Sequence, residues 1–290
     1  HGPEPVCLPH AGSQKRELGI SQIISDSLRA MYKTLKIEYQ ERVATIWMNR
    51  PDVFNAFDEH LIADLHSACQ VLDADTSVRV VVLGGMGKNF SAGADLNWMK
   101  RASTFGKEEN LADARMFANM LHTLSCLSKP TIARIQGAAL GGGTGLAAAC
   151  DIAISTSDAV FATSEVKFGI IPAVISPYVL RAIGQRHALR YFQTGEKFTA
   201  TRAHEIGLVT EVCSSDELDT KVKELANLLI SGAPLAQKAA KDLIAAISDR
   251  RIDHTICEET AQRISRQRAT NEAKDGISSF LEKRTPTWLI

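Results

Sequence analysis

The chain has 290 residues, 45% of them apolar and 23% charged, and its 33 basic side chains are balanced by 33 acidic ones. That length can bury a sizeable core, and the even balance offers no basic field for nucleic acid or an anionic membrane, which leaves small molecules and protein partners. Six scattered cysteines (Cys7, Cys69, Cys126, Cys150, Cys213, Cys257) without a Cys-x-x-Cys pair suit the reduced thiols of a cytoplasmic protein; no zinc-ligand spacing occurs, and no apolar run reaches the about 20 residues of a membrane span.

Residues 1–33 read as an N-terminal extension or expression remnant. The first fifteen residues are polar, with no apolar signal-peptide core. Only weak amphipathy follows through Leu18, Ile20, Ile23, Ile24 and Leu28, and Glu4, Glu17 and Asp26 argue against a transit peptide. From Leu35 the pattern becomes regular. Ile37 and Tyr39 alternate, Gln40-Glu41-Arg42 suits a turn, and Val43–Met48 continues as a second strand, which predicts a hairpin ended by Pro51. Asp58 is placed to cap a helix with Leu61, Leu65, Ala68 and Leu72 on one face. Val78–Leu83 is an almost unbroken apolar run, as in a strand buried on both faces. A glycine-rich loop from Gly84 to Gly93 and a helix over 107–127 come next.

A short strand ending at Ile135 leads to Gly141-Gly142-Gly143, which turns into an Ala-rich helix start at Ala147–Ala149. Ile152–Ser155 is a further short strand, 161–171 a loop carrying Glu165, and 176–193 a helix. This alternation predicts an α/β class with strands near the middle. Beyond Glu217 the strand signals stop. Helical spacing then runs through 222–229, 236–247, 253–269 and 275–283. So 34–216 reads as the core and 217–290 as an all-helical appendage, whose apolar faces have to cover the core or another subunit; an oligomer is expected.

Some glycine segments imitate nucleotide-binding signatures. Gly84–Lys88 has neither the spacing nor the hydroxyl of a phosphate loop, since Asn89 stands where Ser or Thr belongs. Gly143-Thr144-Gly145-Leu146-Ala147-Ala148 fits Gly-x-Gly-x-x-Gly/Ala, with Glu165 about twenty residues on. Too few residues separate Gly145 from the Ile152 strand for a crossover helix, which argues against a dinucleotide fold. No Gly-x-Ser-x-Gly elbow exists. Two glycine-bearing loops remain, around Ala94 and Gly142, with an isolated carboxylate at Glu165. Singly, each loop is an ordinary tight turn and Glu165 an ordinary solvated side chain. Together, two backbone N–H groups from separate loops are what an oxyanion hole requires.

Phe90-Ser91-Ala92-Gly93-Ala94-Asp95-Leu96, and Ala139-Leu140-Gly141-Gly142-Gly143 followed by Cys150-Asp151-Ile152-Ala153, resemble the two signatures of the crotonase (enoyl-CoA hydratase/isomerase) superfamily. Asn49-Arg50-Pro51 with Asn55-Ala56, the Thr194–Val209 segment and the Phe280-Leu281-Glu282-Lys283-Arg284 ending fit as well, so the resemblance covers about 35–290. It implies a spiral of ββα units over 34–216, with the CoA and active site, and a helical oligomerisation region over 217–290 that assembles a homotrimer or dimer of trimers. It also implies an acyl-CoA thioester substrate, with no cofactor beyond the CoA that the substrate carries and no metal. By the same resemblance the amides of Ala94 and Gly142 hold the thioester oxygen as an enolate forms. Asn55, Ala56, Ala92, Asp95, Leu96 and Gly141 line the CoA site, and Phe280 and Lys283 reach a neighbour's CoA.

One position departs from the pattern. Hydratases resembling this chain usually carry two catalytic glutamates. The first falls where Gly145 stands here, and the second is kept as Glu165. A single glutamate is the pattern of Δ3,Δ2-enoyl-CoA isomerases, since one base can move a proton between two carbons. Yet the stretch Ser164–Val179 is most similar to bacterial methylglutaconyl-CoA and isohexenylglutaconyl-CoA hydratases, which share the glycine. The expectation is therefore a hydratase of a branched or carboxylated enoyl-CoA such as 3-methylglutaconyl-CoA, in leucine or fatty acid degradation. The alternatives are an isomerase and a non-catalytic binding protein.

Overall fold

The computed structural model describes residues 32–290; nearly all of the expected extension over 1–33 lies outside them. The hairpin forms as expected, from β1 (Leu35–Gln40) and β2 (Val43–Met48), in register from Leu35↔Met48 to Gln40↔Val43. Next to β2 lies β3 (Val80–Gly85), parallel to it. This strand sits two residues later than the apolar run suggests, because Gly84 and Gly85 pair with Trp47 and Met48. The Trp47 ring fills the space above Gly84, where a Cβ would meet it at 2.6 Å. The sheet continues in parallel through β4 (Thr131–Ile135), past a short strand β5 (Ala138–Leu140) that leaves it, to β6 (Ile152–Thr156). Three more short strands follow in the chain: β7 (Val160–Ala162), β8 (Phe198–Thr199) and β9 (Glu211–Cys213). The large sheet has the order β1-β2-β3-β4-β6-β9, and β5, β7 and β8 form a second, small sheet.

Burial explains the pattern of each strand. The residues of β3 alternate between two cores: Val81 and Leu83 enter the main one, and Val80 and Val82 a smaller one on the other face. Helix α1 (Glu59–Ala74) buries Leu61, Leu65, Ala68 and Leu72 in the main core, capped by Asp58 Oδ1, which accepts from Leu61 N at 2.8 Å. A seven-residue helix, α2 (Leu96–Ala102), carries no buried residue and escapes the sequence pattern for that reason. Helix α3 (Lys107–Ser125) packs on α1 through Met120, Leu121 and Leu124.

The spiral has a simple rule. A long strand in the large sheet is followed by a short strand in the small layer and then by a helix. The sequence β4, β5 and α4 (Gly142–Ala149) is one such turn, and β6, β7 and α5 (Ser176–Thr194, broken at Gly184) is the next. Isolated bridges Ser91↔Ala139 and Phe57↔Ala94 extend the small layer to the earlier turns. Contrary to the expectation from segment length, the eight residues of α4 do complete a parallel crossover from β4 to β6. They suffice because β5 has already carried the chain out of the large sheet.

After α6 (Ala200–Glu205), helix α7 (Leu218–Ser231) covers the second face of the large sheet with Leu218, Val222 and Ala226. The last three helices, α8 (Pro234–Ile247), α9 (His254–Arg268) and α10 (Asn271–Glu282), bury almost none of their own residues. A Lys241–Asp151 ion pair at 2.9 Å ties α8 to the turn before β6. Among the described residues no helix is long and apolar enough to cross a membrane, and the described cysteines Cys69, Cys126, Cys150, Cys213 and Cys257 are free thiols.

Candidate active site

The small layer sets the site. Ser91 and Ala139 pair in parallel, with Ser91 N donating to Ala138 O and Leu140 N to Ser91 O, each at 2.9 Å. Beyond this bridge the two loops stay close: a Cβ on Gly93 would lie 3.1 Å from Leu140 O and 4.0 Å from Gly141 N, so Ala94 and Gly142 each follow directly on the point where the loops approach. Their neighbours are hydrogen-bonded: Asp95 N donates to Phe57 O at 2.8 Å and Gly141 N to Ala162 O at 2.8 Å. The amides of Ala94 and Gly142 themselves have no acceptor among the described residues. Free N–H groups in such a pair, one of them opening a helix, suit a developing negative charge.

Each loop is fixed by buried groups. Thr144 Oγ1 spans the carbonyls of Ala139 (2.7 Å) and Ala162 (2.9 Å) and so anchors the start of α4 to β5 and β7. Gly141 adopts φ 51°, ψ −116°, which a side chain would make costly. Phe57 links the two amides. Its backbone brackets Ala94 on one side, and its ring, 5.2 Å from that of Phe117, lies against Gly142, where a Cβ would meet Phe117 at 2.9 Å and Phe57 at 3.0 Å.

Glu165 completes the group. The sequence suggests a loop there, whereas the residue opens a 3₁₀ turn, Glu165–Phe168. A Cβ on Gly141 would lie 3.3 Å from Glu165 Oε1 and 3.9 Å from Gly93 Cα, so both glycine loops and the carboxyl meet at one point. Glu165 is half-buried, and its Oε2 is enclosed without a hydrogen-bond partner. Burial pushes its pKa above the usual carboxylate value, against a smaller opposing effect of its own backbone N–H. A half-buried carboxyl with one enclosed, unused oxygen is a candidate for proton exchange.

The remaining residues named from the sequence divide into two groups. Ala92 is half-buried, and Ala94 and Leu96 are exposed, Leu96 at 82%. Asn55, Ala56 and Asp95 are buried and have internal tasks. Asn55 Oδ1 accepts from Arg50 N, and its Nδ2 donates to Met86 O and Asn89 O, all at 2.9 Å, so its amide pins the first glycine loop. Ala56 O accepts from Arg50 Nη1. Asp95 Oδ1 caps α2 through Asn97 N (2.8 Å) and Trp98 N (3.1 Å), while its Oδ2 meets Arg50 Nη2 at 3.0 Å. Burial raises the Asp95 pKa, but the two amides and the guanidinium outweigh it and hold the carboxyl below its ordinary value. Phe280, 84% exposed, and Lys283 lie at the end of α10.

Arg50, named only as part of the Asn49-Arg50-Pro51 motif, and Phe57 are the residues whose roles sequence reasoning missed. Arg50 bridges Asp58 (2.9 Å) and Asp95 (3.0 Å). A basic residue with acids eight and forty-five positions on carries no local signal; only the fold brings them together. Among the described residues no three His, Cys, Asp or Glu side chains group as metal ligands do.

Comparison with known proteins shows the family and the fold. The family model described as enoyl-CoA hydratase/isomerase matches residues 38–289. The chain is 34% identical over 251 residues to the short-chain-enoyl-CoA hydratase of Clostridium acetobutylicum, covering 86% of this chain and 94% of that protein. It is 33% identical over 253 residues to the 2,3-dehydroadipyl-CoA hydratase of Escherichia coli, covering 87% and 97%. The crystal structure of an enoyl-CoA hydratase from Shewanella pealeana superposes with a TM-score of 0.87 at 39% identity, over 92% of this chain and 99% of that one.

Proposed function

The chain belongs to the enoyl-CoA hydratase/isomerase family, and we propose that it adds water across the 2,3 double bond of an acyl-CoA thioester. The observation that carries this reading is the pair of unbonded amides at Ala94 and Gly142 beside the enclosed, partnerless Glu165 Oε2. The thioester oxygen sits between the two amides. As water attacks C3, Glu165 takes one of its protons and the electron pair of the double bond moves into the thioester, giving an enolate. The amides hold that charge without reorganising. Glu165 then returns a proton to C2, and the net change is one added water. Its raised pKa suits both steps, since a carboxyl nearer neutrality gives up and recovers a proton more evenly. No cofactor is required beyond the CoA of the substrate.

For the acyl group we propose a branched or carboxylated chain such as 3-methylglutaconyl. Two things support it. Gly145 removes one of the two acids such a site usually has, so a second carboxylate on the substrate can order the water. A 33% identical relative is named for a dicarboxylic acyl-CoA, 2,3-dehydroadipyl-CoA. Ala92, Leu96 and Gly141 contact the CoA thioester arm, and Asn55, Ala56 and Asp95 hold the loop that does so from beneath. The exposed apolar residues of α8–α10, including Leu235, Ile244, Ile277 and Leu281, cover a neighbouring subunit in a homotrimer or dimer of trimers, where Phe280 and Lys283 reach the neighbour's CoA.

One observation favours a second reading: with position 145 a glycine, a single base at Glu165 matches the proton shuttle of a Δ3,Δ2-isomerase. An absorbance assay with methylglutaconyl-CoA, crotonyl-CoA and a 3-enoyl-CoA separates the two. Loss of the conjugated enoyl band, fastest with methylglutaconyl-CoA, is expected. Gain of that band from the 3-enoyl substrate alone identifies an isomerase, and no change with any of the three a binding protein.

A further inference from the structure

Position 145 is more than a missing acid. Gly145 lies one helical turn beyond Gly141 and Gly142, on the same face of α4. A side chain there would therefore project beside the Gly142 amide, but the space is taken. A Cβ on Gly145 would lie 2.2 Å from Ile175 Cγ2 and 2.7 Å from Ile175 Cβ. Ile175 cannot swing clear, being 2% exposed and bound into the first turn of α5, where its carbonyl accepts from Tyr178 N at 3.2 Å and Val179 N at 3.1 Å. These contacts are with the root of a β-branched side chain, the part with least rotamer freedom.

We propose that Ile175 is a specificity-determining residue: by filling the space over Gly145 it enforces a one-carboxylate site, with a dry apolar wall on the α4 side, and so selects substrates that carry their own polar group. This rests on the hydratase reading above. It follows that restoring the acid by Gly145→Glu alone cannot create a two-glutamate hydratase. The two positions have to change together, and the distances say how far. An alanine at 175 still leaves a Cβ at 2.7 Å, whereas a glycine leaves Cα as the nearest atom at 3.7 Å, ordinary van der Waals contact.

The test is a double-mutant cycle of Gly145→Glu, Ile175→Gly and the pair, with melting temperature and kcat/KM on crotonyl-CoA and methylglutaconyl-CoA as readouts. Gly145→Glu alone is expected to melt lowest and to lose activity on both substrates. The pair is expected to melt above Gly145→Glu despite carrying a second substitution. Its crotonyl-CoA to methylglutaconyl-CoA ratio should rise about tenfold or more over that of Ile175→Gly, a part of the about 10²–10⁴-fold that a positioned acid or base supplies. Both members of that comparison lack Ile175, so the rise reports the acid at 145; a merely structural Ile175 would let Gly145→Glu show the same rise over the parent with Ile175 in place. A double variant that folds no better than the worse single, or whose ratio does not change, overturns the proposal. If the unaltered protein hydrates neither substrate, the hydratase reading falls, while the melting arm still tests the steric lock.

Discussion

Between β3 and α5 the apolar side chains face one another across a closed spiral, and Phe90, Ile135, Leu146 and Phe161 have no measurable exposure. From α8 to α10 side chains of the same chemistry face outward: Ile244 is 64% exposed and Leu281 72%. The spiral closes because every strand is paired on both sides except at the ends of the sheet, and each helix lies on the turn before it. The terminal helices are held by contacts with one another and by polar ties such as Lys241–Asp151 and Arg79–Gln237. The first region can hold backbone amides in fixed positions, as an oxyanion site needs. The second has apolar area to spend on a partner.

The largest effect expected from breaking this division is at its rigid end. Glu165→Gln should lower kcat by about 10²–10⁴-fold in the enoyl-CoA assay. The same variant should raise the melting temperature at neutral pH. Because burial raises the Glu165 pKa, the folded chain keeps that proton to higher pH than the unfolded chain does. Stability therefore falls as pH rises from the ordinary carboxylate value through the raised one. The gain from Gln should vanish in acid, below the ordinary value, where both states are protonated. In the parent protein, activity should be lost on the acid side at a higher pH than an unburied glutamate would give.

Next in size is Gly142→Val. Its Cβ would meet Phe117 at 2.9 Å and Phe57 at 3.0 Å, displacing the Gly142 amide at the start of α4. A loss of about 10²–10³-fold in kcat, with a smaller change in KM, is the expectation for one oxyanion donor. Asn55→Ala should act on stability before chemistry. It strands Met86 O, Asn89 O and Arg50 N, and chemical denaturation should show about 3 kcal/mol lost. The smallest effect on folding belongs to the other region. Ile244→Asp with Leu281→Asp should change stability by about 0.5 kcal/mol or less per exposed site. It should nonetheless move sedimentation toward smaller species, and an unchanged sedimentation coefficient would count against the proposed assembly.

How much of this was legible depended on how local the signal was. The hairpin, the Asp58-capped helix and the fully apolar β3 follow from period and capping, which neighbours in the chain decide. The four terminal helices were equally plain. Strands of two or three residues, β5, β7, β8 and β9, carry too little pattern to see, and α2 has no buried face to give it a period. Of these, β5, β7 and β8 nevertheless build the layer on which the site rests, and β9 ends the large sheet. Asn55 and Asp95 were legible as part of a motif, while their bonding to the Met86–Asn89 loop, to α2 and to Arg50 was not.

The sequence alone determined the class of fold, the two glycine loops, the retained Glu165 and the glycine at 145. These are properties of residue type and order, and a family signature preserves them. Only the tertiary structure decided that the loops carrying the free amides of Ala94 and Gly142 approach one another, since that needs the pairing of Ser91 with Ala139, residues far apart in the chain. It alone decided that Glu165 is enclosed and that Ile175 lies over Gly145. Packing is a relation between distant residues, and no local pattern encodes which of them will share a space.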